Sequence, residues 1–107
     1  MLERHHIVFK SQGGLDFDLN YKYLSGEGHR GNYGPHLNKR VDLAYKIEME
    51  AELEKILYKD YYTIDELIKI LGLKKVQAYK AFRRLEKVKG IEKVDAIFRL
   101  MGNSFYL

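Results

Sequence analysis

The spacing of apolar and polar positions changes along this chain, and the changes divide it into three parts. Residues 3–10, "ERHHIVFK", are rich in β-formers with weak alternation, and "NYKYL" at 20–24 is a second such run. Between them Gly13-Gly14 offers the positive φ angles of a turn, so the two runs predict a hairpin. "SGEGHRGNYGPH" follows, and its glycines mark it as a loop. From about Pro35 to Tyr58, Val41, Ala44, Tyr45, Ile47, Met49, Leu53, Ile56 and Leu57 recur at roughly helical spacing and predict a long helix. Pro35 suits a first helical position, where no amide donor is needed. Glu48, Glu50, Glu52 and Glu54 predict a solvent face on that helix.

The third part begins with "YYTIDELIKILGL", where Thr63 and Glu66 form a capping-box pattern and Leu67, Ile70 and Leu71 an apolar stripe. Gly72 ends that helix. A second helix is expected over about 74–88, burying Val76, Tyr79, Phe82 and Leu85. Lys80, Arg83, Arg84 and Lys87 would then share one face. "KVDAIFRLM" predicts a third helix, ending at Gly102-Asn103, and "SFYL" a short strand or a tail packed on the core. Phe17, Tyr21 and Tyr23 read as core or half-buried strand positions.

Composition narrows the classes. A chain of 107 residues is one domain in length, here read as segments 1–59 and 60–107, and 46% apolar residues suffice for a core. Cysteine is absent, which excludes disulfides and thiolate metal sites. No run approaches a membrane span and the charged start is unlike a signal peptide, so a cytoplasmic location and no membrane partner are expected. The net charge is +4. All of the excess lies in residues 60–107, with ten basic and six acidic side chains, the footprint of a surface for phosphates.

The four histidines, His5, His6, His29 and His36, all fall in the first third of the chain. Imidazole stays neutral near pH 7 and binds divalent ions, and its pKa suits proton removal from water. Neighbours in a strand point to opposite sides, so one ring of a His-His pair can meet a metal while the other addresses a different side of a phosphate.

In "HHIVFKSQGGLDFDLNYKYLSGEGH", continued by "RGNYGPHLNKRVDLAYK", the paired histidines, Gly-Gly, Asn20 and a later histidine stand in the order found in the HNH nucleases. The first half of the chain resembles that family, a His-Me finger group built on the ββα-metal fold, and is most similar to its phage and mobile-element branch. The resemblance implies a metal-dependent DNA endonuclease. His5 would be a metal ligand, His6 the general base and Asn20 the brace that orients it. His29 would be a second ligand, and His36 a third ligand or a phosphate contact. Arg30 would neutralise a phosphate. One divalent ion is implied, magnesium or manganese for activity, with nickel or zinc able to bind more tightly. Ser25 and Gly28 stand where many members carry cysteines, so the family's accessory zinc is not expected.

The helix-Gly-helix pattern of the last segment looks like a helix-turn-helix or winged-helix reader, with Lys74, Gln77, Lys80, Arg83, Arg84 and Lys87 directed at DNA. A helical cap on the long helix is the alternative. The expected architecture is α+β, an N-terminal ββα-metal core followed by a small helical DNA-binding part. DNA is the expected partner. A double-strand break by one such centre would need a homodimer or two nicks, and a phage or host protein complex is a further candidate partner. Two other readings stand beside the nuclease: a non-cleaving regulator or inhibitor that keeps the fold, and a structural metal-binding domain.

Overall fold

The computed structural model describes residues 2–25 and 38–107. Over these residues the chain is α+β, with four helices and two small antiparallel sheets. Strands β1 (Leu2–His6) and β2 (Tyr21–Ser25) pair antiparallel, His5 opposite Lys22 and His6 opposite Tyr21. Helix α1 spans Lys39–Ile56. After it come β3 (Tyr61–Tyr62), α2 (Ile64–Leu71), α3 (Lys75–Phe82), β4 (Ile91–Glu92) and α4 (Lys93–Leu100), with β3 paired to β4. None of the described helices is long and apolar enough to cross a membrane.

The first predicted strand stops at His6 rather than Lys10. Ile7 and Val8 turn into the core, and the chain then tightens through a single 3-10 turn, Lys10–Gln12, ending at Gly13 with φ 89°. That reversal needs both glycines, and Gly14 donates its amide to the Phe9 carbonyl at 2.9 Å. Asn38 opens α1, its side chain accepting from the amides of Arg40 and Val41. The start predicted at Pro35 lies outside the described residues.

The buried stripe of α1 holds Lys46, Met49, Glu50, Leu53 and, just past its end, Leu57, at helical spacing. Glu50 therefore leaves the expected acidic solvent face. Its carboxylate accepts the amides of Tyr106 and Leu107, at 2.8 and 3.1 Å, and fastens the C-terminal tail. Lys46 is paired with Asp42 at 2.8 Å and lies over the rings of Phe9 and Tyr106. Both buried charges are thus compensated, as burial requires.

Thr63 and Glu66 form the reciprocal cap of α2, and Gly72 ends it at φ 69°. Leu67 and Leu71 are buried while Ile70 is exposed. Helix α3 is shorter than the sequence suggests and stops at Phe82, because Leu85 bonds back to Phe82 and Lys87 and Gly90 close a tight turn that returns β4 to β3. Ala78 and Phe82 form its buried side; Val76, 68% exposed, and Tyr79 face outward instead of inward. Tyr23 is likewise exposed, while Phe17 is buried. One hydrophobic cluster runs from Ile7 and Val8 through Leu53 and Leu67 to Leu100 and Met101, so the core is continuous across residues 59 and 60. Each such buried leucine contributes about 1.5–3 kcal/mol over an exposed one.

Candidate functional site

The loop between β1 and β2 is assembled around Asn20, which is 0% exposed. Its side-chain oxygen accepts the Val8 amide at 2.7 Å, and its NH2 donates to the carbonyls of Val8 and Leu15 at 3.1 and 2.8 Å. Its own carbonyl accepts the Ile7 amide. One amide side chain thus ties both ends of the loop together at the end of the strand that carries the histidine pair.

Strand alternation puts His5 and His6 on opposite faces of the hairpin. His5 is 3% exposed, edge-on to Phe9 with centroids 5.3 Å apart. On its face Lys22 lies over the Tyr45 ring and pairs with Glu48, so this side is turned to α1. His6 occupies the other face, against the edge of Tyr21, with Arg4 stacked on that ring at 4.4 Å.

His6 meets a residue that motif reasoning passed over. Its Nε2 lies 2.8 Å from Oδ1 of Asp16, which is 8% exposed between the buried Leu15 and Phe17. The Tyr21 hydroxyl donates to the same oxygen at 3.0 Å. The amide of Gln77, on the first turn of α3, covers the other side of Asp16. Its Nε2 donates to Oδ2 at 2.8 Å and its Oε1 accepts the Asp16 backbone N–H at 2.9 Å. Lys74 and Lys10 stand at 3.7 and 3.9 Å, both largely exposed. The bond from His6 and then that from Gln77 hold the Asp16 carboxyl well below the usual aspartate range, against the opposing effect of burial. Burial, and then the bond to Asp16, push the Tyr21 phenol up.

An ionised carboxylate can only accept hydrogen bonds, so His6 Nε2 must carry the proton in this pair. A neutral ring then has its lone pair on Nδ1. The arrangement is a carboxylate–imidazole pair with one nitrogen anchored and the other able to take a proton. The signal for Asp16 was present in "GLDF": an acidic residue between two core residues must find partners.

Of the residues expected to form the centre, the structure brings His6 and Asn20 to one end of the hairpin and turns His5 to its other face. His29, Arg30 and His36 lie outside the described residues. Among the described residues no three histidine, cysteine, aspartate or glutamate side chains are grouped so that they would hold one metal ion. Lys74, Lys80, Arg83, Arg84 and Lys87 are exposed, but Arg83 is the C-cap of α3 and Arg84 and Lys87 fall beyond it, so the expected four-residue face is not continuous. Lys87 is paired with Glu92 and Asp95, at 3.3 and 3.8 Å. Gln77 differs most from expectation, since both ends of its amide are engaged by Asp16. No family model, curated protein or solved structure matches the chain.

Proposed function

We propose that this protein is a metal-dependent DNA endonuclease of the HNH type, with His6 as general base. The observation that carries the reading is the His6–Asp16 pair, next to the loop that Asn20 braces. Asp16 fixes the ring orientation and leaves Nδ1 as the basic atom. It also offsets the positive charge that develops on the ring as water is deprotonated. His6 is 20% exposed, which leaves it accessible to solvent.

Of the implied metal ligands, His5 is the one within the described residues, and its buried imidazole has suitable donor chemistry. His29 and His36 are the proposed partners in holding the ion. When bound, a divalent ion would stabilise charge on the phosphate and the departing oxygen. The C-terminal helices act as the DNA-gripping part in a helix-turn-helix-like role, with Lys80, Arg83 and Arg84 on phosphates.

Supercoiled plasmid tests this directly. Nicking in magnesium or manganese is expected, and His6→Ala should lower its rate by about 100-fold or more. Undiminished nicking by His6→Ala would sink the base assignment. DNA binding without cleavage in any divalent metal would favour the non-cleaving regulator.

A further inference from the structure

We infer that Gln77 is a positioning residue for the base: from helix α3 it holds Asp16, and through Asp16 it holds His6, so both segments of the chain build one centre. This rests on the nuclease reading for its consequence in catalysis, though not for its geometry. The bonds span 61 positions of sequence. A single amide grips both the backbone N–H and the carboxylate of one residue, which fixes the position of Asp16 and the rotation of its carboxylate together. The two carboxylate oxygens are divided, Oδ1 to His6 and Tyr21 of the hairpin, Oδ2 to Gln77 of α3.

The other described neighbours of Oδ2 do not replace that grip. Lys74 and Lys10 reach the buried Asp16 from largely exposed side chains at 3.7 and 3.9 Å, longer than the Gln77 bond and without its fixed geometry. Without Gln77 the carboxylate keeps only the His6 and Tyr21 bonds to Oδ1, and the grip that fixes its rotation, and with it the acceptor that selects the Nε2–H form of His6, is lost. A role for Gln77 as a base-reading contact conflicts with this arrangement, because reaching DNA would break both bonds.

The test uses the full chain with Gln77→Met, which keeps the volume and loses both bonds, and Gln77→Glu. The glutamate can still accept the Asp16 N–H but turns its other oxygen against the carboxylate. Steady-state plasmid nicking should show kcat reduced about 10- to 100-fold with KM for DNA nearly unchanged. A rise in KM at constant kcat would overturn the inference in favour of a DNA contact.

A second readout is independent of activity. Long-range 15N–1H spectra of histidine-labelled protein at alkaline pH, with His6 assigned through His6→Gln, report which ring nitrogen carries the proton. The wild type should be in the Nε2–H form and both variants mixed. An unchanged tautomer in the variants overturns the inference. If the wild type cuts no DNA in any divalent metal, the nuclease reading fails, and the tautomer alone still decides whether Gln77 positions the ring. Thermal melts verify folding, and if Gln77→Met does not fold, the tautomer and kinetics of Gln77→Glu decide the question.

Discussion

Gly13 and Gly14 are adjacent, yet the fold needs them for different reasons. Gly13 needs its backbone freedom, with φ 89°, while a Cβ there would approach its nearest neighbour, an Arg99 side-chain nitrogen, only to 3.4 Å. Gly14 needs the absence of a side chain, because a Cβ there would lie 1.8 Å from the Val8 carbonyl oxygen. That close approach lets Asn20 reach Val8 and Leu15 at once, and it sets Asp16 within reach of His6. Gly13→Ala should therefore cost about 1 kcal/mol, the ordinary penalty for a left-handed alanine. Gly14→Ala should cost about 3 kcal/mol, since backbone must move against backbone. Urea unfolding of the two variants checks the contrast. Equal costs would mean that the loop relaxes freely and that the close approach has no structural weight.

Helix α3 serves two directions at the scale of an element. Its first turn grips Asp16 inward, while Lys80 and, just past its end, Arg83 and Arg84 are exposed. Replacing these three by glutamine should weaken DNA binding across sequences, and the salt dependence should fall by about one unit of slope for each phosphate no longer neutralised. Lys87→Gln should change little, because that amine already serves Glu92 and Asp95. Fluorescence anisotropy over a salt series reads both outcomes, and an equal effect from Lys87 would refute the division. Most of these elements were legible in sequence: Thr63 and Glu66 mark the start of α2, and Gly72 its end, by local chemistry alone. The end of α3 was not, because it is imposed by β4 pairing with β3, where Gly90 packs so tightly that a Cβ would meet the Tyr62 carbonyl oxygen at 2.9 Å. The buried Glu50 was hidden for the same reason, since its partners Tyr106 and Leu107 are distant in sequence. So was the burial of Lys46, which pairs locally with Asp42 but is covered by the distant rings of Phe9 and Tyr106.

Asp16 marks the seam of the whole molecule, and the candidate site was legible only on one side of it. His6 and Asn20 stood out through local order, whereas Gln77 carried no local sign of a role in the hairpin, since periodicity alone turned it outward. The seam also makes a prediction about acid. Asp16 is faced by His6 of β1, Tyr21 of β2, Gln77 and Lys74 at the start of α3, and Lys10 of the loop. The bonds from His6 and then Gln77, with Tyr21 and Lys10 adding less, keep it ionised to lower pH in the fold than in the unfolded chain, where aspartate has its ordinary value of 3.8. The unfolded chain therefore binds a proton first as pH falls, and linkage fixes the sign. The contribution of Asp16 to stability is complete above its unfolded value and is lost as pH falls through its folded value. Asp16→Asn should be clearly less stable than wild type at neutral pH, and the gap should narrow progressively on acidification below pH 3.8. Urea midpoints of both proteins across that range measure it. A gap that stays constant into strong acid would mean that the carboxylate charge does not hold the hairpin to α3, and the seam would have to rest on apolar packing alone.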